Sequence, residues 1–427
     1  MFRSEGNSAK LRQAVRTGLL APENGSRVNS IKKAEPYQAK GTEASWYKGR
    51  TLTEEERARF RRTTLASQAA KAKAVRGDCS APKHPVPVPR LMAEHLMPVR
   101  PPNTLRVLSL FSGGGGLDIG FERAGFDHIA SYEIREDAAT VLRAAKKQWT
   151  VYGGVDGDVC HVNWERYKGT VDVLHGGPPC QPFSHAGYQS GENDVRDMFP
   201  QLVRAVQSVE PLVFVAENVP GLSSKKFSQY LQKTIYDPLA GKYSIRMFTL
   251  EAASFGVPQR RRRVWFVGFR NRTDANRFRI PGATHTPDQA PVDRLHFDDL
   301  PPTMGAREAL GLPPTGYDSL APTLRSGLTG PRHTTSVLSS VTALKQWGDL
   351  GIWPNGVAAD RERAAAFIAA NGHFRLSIPD CMLLQGFPSD WPIQGPVYKC
   401  LGLIGNSVAP PMAYRVALAV AHSLGVG

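Results

Sequence analysis

The sequence predicts an α/β fold in which a mostly parallel sheet is covered by helices on both faces. From Arg106 onward, short apolar runs typical of strands alternate with runs typical of helices, which is the pattern of a parallel sheet with helical crossovers. After Arg270 the alternation stops, and residues 272–373 are rich in Pro, Gly, Thr and Arg with little periodicity. The alternation returns near Arg375 and ends in an apolar helical segment over residues 411–424. We therefore expect an α/β domain that carries an inserted, irregular domain.

The expected strands recur along the α/β part of the chain. They are predicted at residues 107–111, 129–133, 171–175, 213–217 and 264–269. A chain of 427 residues is long enough for two or three domains. The expected segments are a basic N-terminal extension over 1–104, a catalytic and cofactor-binding domain over 105–271, an inserted domain over 272–373 and a C-terminal return over 374–427.

Much of the net charge of +15 lies near the N-terminus, where residues 1–104 hold 20 lysines and arginines against nine acidic residues. This excess suits a polyanionic partner, with nucleic acid the first candidate, and a solvated basic tail is an equal alternative. The extension is expected to be partly helical or disordered. One helix is predicted from Thr53, because Thr53 and Glu56 form a capping box and Gly77 follows the basic run. It is interpreted as an arm over DNA phosphates, with a soluble helix as the alternative.

The five cysteines are scattered, and none of them pairs at a spacing typical of metal ligands or of a disulfide framework. They are Cys79, Cys160, Cys180, Cys381 and Cys400. Scattered cysteines are typical of a reducing cytosol. The sequence also lacks an apolar run of the length needed to cross a bilayer and an N-terminal apolar core typical of a signal peptide. We expect a cytoplasmic protein without a metal ion and without a membrane partner.

Cys180 lies in a proline-flanked turn, Pro-Pro-Cys-Gln-Pro-Phe-Ser, at residues 178–184. Proline disfavours helix interiors and central strands, so this thiol is expected on a stiff loop. The loop follows the predicted strand 171–175, and the carboxyl ends of strands are where α/β sheets place their chemistry. A lone cysteine is more often a small buried hydrophobic residue, so its interpretation depends on the other motifs.

A glycine-rich turn, Phe-Ser-Gly-Gly-Gly-Gly at residues 111–116, joins the first predicted strand to an amphipathic segment. Such a turn lets a ligand approach the backbone closely, and a tight turn without a ligand is nearly as common. Glu133 ends the next strand, where an acidic side chain can accept hydrogen bonds from ribose hydroxyls. Asp158 ends a third strand-like segment near the same crevice. This spacing does not separate a nicotinamide cofactor from S-adenosylmethionine.

Four further motifs complete the set, and each alone has an ordinary structural explanation. They are Glu-Asn-Val at 217–219, Gln-Arg-Arg-Arg-Arg at 259–263, the segment 375–388, and Gly-Asn-Ser-Val-Ala-Pro-Pro at 405–411. Their order and spacing together with Pro-Cys-Gln are specific. In these motifs the chain resembles a DNA (cytosine-5)-methyltransferase of the bacterial restriction–modification type over about residues 105–424. The resemblance implies a Rossmann-like, S-adenosylmethionine-dependent methyltransferase sheet whose insert is a target-recognition domain.

The resemblance implies a catalytic set around Cys180. Cys180 would be the thiolate that adds to C6 of cytosine, which makes C5 nucleophilic enough to take a methyl group. Glu217 would bind the N3/N4 edge of the base in its protonated form, and Asn218 would orient the loop that bears Cys180. The motif Gln-Arg-Arg-Arg-Arg supplies three further residues of this set. Arg263 would contact the target base, and Arg261 would be its companion beside the nucleophile. Gln259 belongs to the same motif and has a less certain role.

The resemblance also implies a pocket for S-adenosylmethionine, in which Phe111 lies against the adenine and Glu133 binds the ribose. Asp158 takes the adenine amino group, and two residues of the C-terminal segment complete the pocket. The full expected set is Phe111, Ser112, Gly113, Gly115, Glu133, Ile134, Asp158, Val159, Pro178, Asn406 and Ser407. Ser109 stands where the family commonly has Asp, a departure that affects one polar contact near the methionine end.

The implied substrate is double-stranded DNA, from which the target base must be flipped out of the stack. Gln189 would fill the vacated space, and Thr323 belongs to a Thr-Leu element of the recognition domain. Arg325 and Arg332 are candidates for guanine edges, with phosphates as an equal alternative. The expected DNA-binding set is Ser184, Gln189, Thr323, Arg325 and Arg332. The protein is expected to be a monomer that protects DNA from a cognate restriction endonuclease.

Three alternatives stay open on the sequence. Methylation of a structured RNA is disfavoured by the long insert and the basic extension. A repressor acting through residues 1–104 would be an added role, since no helix-turn-helix is evident there. A nicotinamide dehydrogenase would have no need of Pro-Cys-Gln-Pro.

Overall fold

A computed structural model describes residues 53–55, 57–58, 61–62, 85–179, 197–287, 300–326, 334–366 and 372–426. The expectations for Cys180, Ser184, Gln189 and Arg332 lie outside these ranges. Most of the basic extension also lies outside them. The described residues between 54 and 62 are helical, and the Arg57 amide donates to the Thr53 carbonyl at 3.0 Å, as expected for a helix that starts at Thr53.

A seven-stranded sheet forms the centre of the described structure. The strands are β1 (Arg106–Leu110), β2 (Asp127–Glu133), β3 (Val151–Gly153), β4 (Val173–Gly176), β5 (Val213–Asn218), β6 (Ser244–Glu251) and β7 (Arg262–Phe269). Their order is β3-β2-β1-β4-β5-β7-β6, and β7 runs antiparallel to both of its neighbours. The other neighbours pair in parallel. The predicted α/β fold is confirmed, and the inner strands are buried on both faces because helices cover both faces.

The helices connect these strands or follow the sheet. They are α1 (Gly116–Arg123), α2 (Glu136–Ala145), α3 (Phe199–Val209), α4 (Ser228–Leu231), α5 (Asp237–Leu239), α6 (Arg272–Arg277), α7 (Ala306–Ala309), α8 (Val341–Asp349), α9 (Arg361–Ala365), α10 (Ile378–Gln385), α11 (Val397–Asn406) and α12 (Pro410–Ser423). One hydrophobic core lies under α1, α2 and α12, and a second lies under α3 on the other face.

The strand order places the candidate site. The chain leaves β1 toward β2 on one side and later returns to β4 on the other side, so a crevice opens at the carboxyl ends of β1 and β4. The glycine-rich turn follows β1, and the loop that carries Cys180 follows β4. Two motifs that are about 70 residues apart in the sequence therefore meet at one edge of the sheet.

The segment 272–373 is more regular than its sequence suggests. It contains α6 to α9 and a further strand, β8 (Ile352–Ala358), which pairs in parallel with β9 (Phe374–Ser377). The side chain of Trp347 on α8 is fully buried in the core that continues under α12. Helix α10 starts with a capping box of Ser377 and Asp380 and ends at Gly386, which has a left-handed φ of +83°.

Residues 85–104 pack against the α/β domain. Met97 is fully buried, and its carbonyl accepts a hydrogen bond from Arg123 Nε at 2.6 Å. The carboxylate of Glu94 accepts hydrogen bonds from the amide and the hydroxyl of Ser389 at 2.6 and 2.7 Å. The amide of Leu91 donates to Ala309 of α7 at 3.3 Å. This segment thus connects helix α1, helix α7 and the C-terminal return.

Sequence patterns did not reveal β3 and β6, the two edge strands of the sheet. Strand β3 has three residues, and β6 exposes three of its eight residues, so neither gives a continuous apolar run. Asp158 follows a 3₁₀ turn, Gly154–Gly157, rather than ending a strand as the sequence suggested, because Gly154, with a left-handed φ of +60°, turns the chain directly after β3. Among the described residues, no helix has the length and apolar character needed to cross a membrane.

Candidate active site

The glycine-rich turn lies at the carboxyl end of β1, where Phe111 and Gly113 are half-buried. Gly113 and Gly115 have left-handed φ values of +55° and +86°, and Phe111 adopts +55°, which is unusual for a residue with a side chain. A Cβ on Gly114 would lie 2.7 Å from Ser407 Oγ, so only glycine fits between the turn and the C-terminal segment. We call the backbone of residues 111–116, which lies at the crevice, the cradle.

Glu133 ends β2 beside this cradle. Its carboxylate accepts hydrogen bonds from the amides of Gly113 and Arg135, both at 2.8 Å. Burial raises the pKa of Glu133 above its usual value, although the two amides and the Arg135 charge oppose this shift. The neighbouring Ile134 is 39% exposed and offers an apolar surface at the mouth of the crevice.

Asp158 and Val159 approach the same place from the segment after β3. A Cβ on Gly157 would lie 2.3 Å from the Glu133 carbonyl, so this segment packs directly on the end of β2. The carboxylate of Asp158 is nearly buried and accepts the amide of Cys160 at 3.0 Å, with His161 Nε2 3.6 Å away. The side chain of Val159 belongs to the core below.

The C-terminal segment closes the cradle from the other side. Asn406 is exposed at the end of α11, and Ser407 is buried with its hydroxyl donating to the Leu403 carbonyl at 2.8 Å. Trp391 Nε1 donates to the Gly114 carbonyl at 2.9 Å. Trp391 was not singled out from the sequence, because a single tryptophan outside the motifs gives no sign of its partner 277 residues earlier.

Glu217 and Asn218 lie at the start of the loop that carries Cys180. Asn218 Nδ2 donates to the Pro178 carbonyl at 3.0 Å, and this bond is buried. A Cβ on Gly177 would lie 3.3 Å from Glu217 Oε2, so the Glu217 carboxyl lies against the same turn. Strands β4 and β5 pair with Gly176 opposite Ala216, which puts these two side chains next to the turn.

The Glu217 carboxyl is buried and faces arginines. Arg263 Nε lies 2.8 Å from Oε1, in an approach that is not aligned as a hydrogen bond, so Oε1 has no hydrogen-bond partner among the described residues. Burial raises the pKa of Glu217, and the charges of Arg263 and Arg261 oppose this shift without cancelling it. The site therefore favours a protonated carboxyl more than water does.

Arg261 and Gln259 are buried and bind the C-terminal return. Arg261 Nη2 donates to the carbonyls of Gly405 and Ser407 at 2.8 and 2.6 Å. Gln259 Nε2 donates to the Leu384 carbonyl and to Gln385 Oε1 at 2.9 and 2.8 Å. Gln385, which lies inside the segment 375–388, in turn donates to the Ser407 carbonyl at 2.7 Å. These bonds join the start of β7 to the segment that closes the cradle.

The Thr-Leu element lies against the arginine-rich motif. The Thr323 hydroxyl donates to the Arg260 carbonyl, and the Leu324 amide donates to Gln259 Oε1 at 3.1 Å. Arg325 is half-buried, and its amide donates to the Val337 carbonyl at 3.1 Å. Arg260 is exposed beside Thr323 and lies between the buried Gln259 and Arg261. Arg260 was not singled out from the sequence; the only signal for it is that alternate residues of an extended segment point to opposite sides.

A sequence profile described as C-5 cytosine-specific DNA methylase matches residues 105–422. The chain belongs to this family. It is therefore a DNA cytosine-C5 methyltransferase, and the family and the fold imply S-adenosylmethionine as its cofactor.

The relatives point to restriction–modification systems. The Type II methyltransferase M.NgoMIV of Neisseria gonorrhoeae is 32% identical over 320 residues, which cover 74% of this chain and 97% of the relative. The Type II methyltransferase M.NaeI of Lentzea aerocolonigenes is 31% identical over 318 residues, which cover 73% and 74%. The expected resemblance to methyltransferases of the restriction–modification type is confirmed. Membership of this family rules out the nicotinamide dehydrogenase and favours DNA over RNA as the substrate.

A crystal structure of a candidate DNA modification methyltransferase encoded within an Escherichia coli prophage has the same fold. The TM-score is 0.50 at 22% identity, and the match covers 75% of this chain and all of that chain.

The residues around the cradle fit the implied cofactor. The half-buried backbone at Gly113 suits the amino-acid portion, a buried carboxylate at Glu133 suits ribose hydroxyls, and the exposed Ile134 suits the face of an adenine ring. The part of the chain that the structure describes contains no group of three or more His, Cys, Asp or Glu side chains placed to hold a metal ion.

Proposed function

We propose that this enzyme methylates a specific cytosine in duplex DNA through a covalent bond between Cys180 and C6 of the base. The observation that carries the proposal is the buried hydrogen bond from Asn218 to the Pro178 carbonyl, with Glu217 against the same turn. This bond holds the start of the loop that carries Cys180 against the end of β5, where the acidic side chain of Glu217 lies. A nucleophile and an acid that act on one base must be held together in this way.

Cys180 attacks as the thiolate. A free thiol has a pKa of about 8.5, and nearby positive charge lowers it. Arg263 lies 2.8 Å from the Glu217 carboxyl beside the turn, and its charge, with that of Arg261, gives the site a positive field. Addition of sulfur to C6 moves the electrons of the C5–C6 double bond toward C5, which then acts as the nucleophile.

Glu217 stabilises the adduct. Its protonated carboxyl donates to N3 of the cytosine and its other oxygen accepts from N4, so electron density that builds up on the ring is neutralised as sulfur adds. The raised pKa of Glu217 favours this protonated form.

S-adenosylmethionine supplies the methyl group that C5 takes up. Phe111, Glu133 and Asp158 would hold its nucleoside side, as the resemblance implies, and Asn406 and Ser407 would close the pocket. After transfer, a base removes the C5 proton, the C5–C6 double bond re-forms, and the Cys180–C6 bond breaks to release the thiolate.

The recognition of DNA is assigned to the inserted segment 272–373. Thr323 and Arg325 are the described candidates in it, and Arg332, Ser184 and Gln189 complete the set that the resemblance implies. We further propose base flipping with Gln189 in the vacated space, action as a monomer, and protection of DNA against a cognate restriction endonuclease. The names of the Type II relatives support the last point.

Transfer of a labelled methyl group from S-adenosylmethionine to duplex DNA tests the mechanism. Wild type is expected to transfer label, and Cys180→Ala is expected to lose transfer by several orders of magnitude. The control is Cys79→Ala, which removes a thiol outside the matched region and should behave as wild type. Equal transfer by Cys180→Ala and wild type would refute the mechanism.

The covalent bond is tested with a duplex that contains 5-fluorocytosine at the methylated position. Fluorine cannot leave C5 as a proton does, so the adduct persists and the protein migrates with the DNA under denaturing conditions. Mapping methylated cytosines in DNA from expressing cells gives the position for this probe. A wild-type enzyme that methylates the normal duplex but forms no such complex would contradict the proposed adduct.

A further inference from the structure

Two buried glutamines connect the inserted segment to the segment that closes the cradle, and no step of the proposed reaction uses them. We call residues 321–326, which contain the Thr-Leu element, the recognition segment, and residues 405–408 the closing segment. Gln259 and Gln385 lie between the two segments, and neither side chain has any exposed surface. We call these two residues the glutamine pair.

The glutamine pair forms three hydrogen bonds that all run in one direction. The Leu324 amide of the recognition segment donates to Gln259 Oε1 at 3.1 Å. Gln259 Nε2 donates to Gln385 Oε1 at 2.8 Å, and Gln385 Nε2 donates to the Ser407 carbonyl at 2.7 Å. A continuous line of hydrogen bonds therefore runs from the recognition segment to the closing segment.

The backbone fixes the orientation of both side-chain amides. A backbone amide can only donate a hydrogen bond, and a carbonyl can only accept one. Oε1 of Gln259 must therefore face Leu324, and its Nε2 must face the Leu384 carbonyl, which lies 2.9 Å away. The Ser407 carbonyl orients Gln385 in the same way. Rotation of either amide by a half-turn would break two buried hydrogen bonds and leave polar atoms without partners.

The backbone around Gln259 is also paired with the recognition segment. The Arg260 amide donates to the Ala321 carbonyl at 2.9 Å, and the Ala321 amide donates to the Pro258 carbonyl at 2.9 Å. The Thr323 hydroxyl donates to the Arg260 carbonyl. Because Gln259 lies between Pro258 and Arg260, a displacement of the recognition segment displaces Gln259 with it.

The closing segment is packed tightly against both of its neighbours. A Cβ on Gly405 would lie 2.5 Å from the Ser326 amide nitrogen, so the recognition segment lies directly against the closing segment. On the other side, a Cβ on Gly114 of the cradle would lie 2.7 Å from Ser407 Oγ. The recognition segment, the closing segment and the cradle are thus in successive contact, and close-packed segments transmit displacement from one to the next.

We propose that Gln385 is a positioning residue for the cofactor pocket, and that it takes its position from the recognition segment through Gln259. DNA bound to the recognition segment then strengthens cofactor binding, and the cofactor strengthens DNA binding by the same factor. Arg261 also binds the Gly405 and Ser407 carbonyls, so the closing segment stays attached to β7 when the glutamine pair is broken. The inference rests on the proposed function, in which residues 272–373 recognise DNA and Ser407 closes the cofactor pocket.

The test compares the dissociation constant of S-adenosylhomocysteine with and without a duplex that carries the mapped methylation site, measured by calorimetry. This product is the probe because it supports no turnover. In wild type the saturating duplex is expected to tighten binding by about tenfold. Gln385→Met and Gln259→Met replace the amide by an apolar side chain of similar length. In both variants the tightening is expected to fall below about twofold, because either one interrupts the line of hydrogen bonds.

The control is Thr303→Val, which breaks another buried bond between the inserted segment and the catalytic domain. The Thr303 hydroxyl donates to the Ala253 carbonyl at 2.6 Å and takes no part in the glutamine pair. Valine has the shape of threonine without the hydroxyl, so this variant should lose stability and keep the wild-type tightening. If Thr303→Val lost the tightening as well, the assignment to the glutamine pair would be overturned.

The outcomes separate this inference from the proposed function. If wild type does not bind S-adenosylhomocysteine, the proposed cofactor site is wrong. If folded Gln385→Met or Gln259→Met keeps the wild-type tightening, the positioning role is refuted while the proposed function stands. A variant whose affinity falls equally with and without DNA belongs to this second outcome, because a merely structural role weakens both constants alike.

Hydrogen exchange of the wild-type protein decides the question if the two glutamine variants do not fold. S-adenosylhomocysteine, added without DNA, is expected to slow exchange of the Leu324 amide hydrogen by about fivefold, because this hydrogen bonds to Gln259. Exchange over residues 321–326 that does not respond to bound S-adenosylhomocysteine would overturn the role.

Discussion

The hydrogen bond between Asn218 and Pro178 gives the sharpest prediction. In Asn218→Ala two bonds disappear: Nδ2 to the Pro178 carbonyl at 3.0 Å, and the Val219 amide to Oδ1 at 2.9 Å. Each lost bond costs about 1 kcal/mol net, and the buried Pro178 carbonyl left without a donor adds about 1–3 kcal/mol. The total is about 3–5 kcal/mol, divided between folding and the position of the loop.

We expect about 2 kcal/mol of this total to appear in catalysis, because the freed carbonyl belongs to the turn that leads to Cys180. That corresponds to about a 30-fold lower kcat. Asn218→Asp is the matched variant, since it retains the acceptor for Val219 but places an oxygen against the Pro178 carbonyl. Its kcat should fall at least as far. The assay is methyl transfer to duplex DNA at saturating cofactor, with thermal unfolding measured in parallel.

The control is Asn103→Ala, which removes the same pattern of two bonds far from the crevice. Asn103 Nδ2 donates to the Ala124 carbonyl at 3.2 Å, and its Oδ1 accepts the Leu105 amide at 3.0 Å. This variant should lose stability and keep its kcat. A kcat for Asn218→Asp within twofold of wild type would refute the reasoning, because the Asn218 amide would then have no part in placing the loop.

Three further predictions concern pH, packing and the N-terminal segment. The folded-state pKa of Glu217 is raised, so its stabilising contribution is present below the unfolded pKa and lost as pH rises through the folded value. The unfolding temperature of Glu217→Gln should therefore increase relative to that of wild type from about pH 5 to 8. A difference in unfolding temperature that stays constant over this range would contradict the prediction. Gly120→Ala places a Cβ 2.5 Å from the Tyr414 amide, so a substitution that stabilises most helices should here cost about 1–3 kcal/mol in chemical denaturation. Glu94→Ala removes both hydrogen bonds from Ser389 and should lower the unfolding temperature by a few degrees while kcat is unchanged; an unchanged unfolding temperature would show that these bonds do not stabilise the fold.

The order of the motifs along the chain could be recognised without the structure, because each motif is local. The turn after β1, the acid at the end of β2 and the Glu-Asn pair at the end of β5 each follow an apolar run that reads as a strand. Ends of parallel strands must meet at one edge of the sheet, so the sequence also predicted that these motifs converge. The apolar segment 411–424 likewise became α12 with its boundaries shifted by one residue at each end.

The contacts between distant segments could not be predicted. Arg261 reaches carbonyls 144 and 146 residues later, and Gln259 joins the Thr-Leu element to α10. An arginine within Gln-Arg-Arg-Arg-Arg looks like part of a solvated face, yet the structure buries Arg261 completely while Arg260 and Arg262 stay exposed. Neighbouring side chains of an extended segment point to opposite sides, which separates Arg261 from Arg260 and Arg262. Which of the two sides is buried depends on the segments that pack against it.

The sequence by itself determined the reaction family and the place of its motifs, because strand-end motifs and a proline-flanked thiol are properties of short segments. Only the tertiary structure decided which side chains support them. No local pattern reveals that Ser109, Ser131 and His175, on three different strands, share one buried row. The physical reason is that burial and pairing depend on neighbours across the sheet. Burial by these neighbours lowers the pKa of His175.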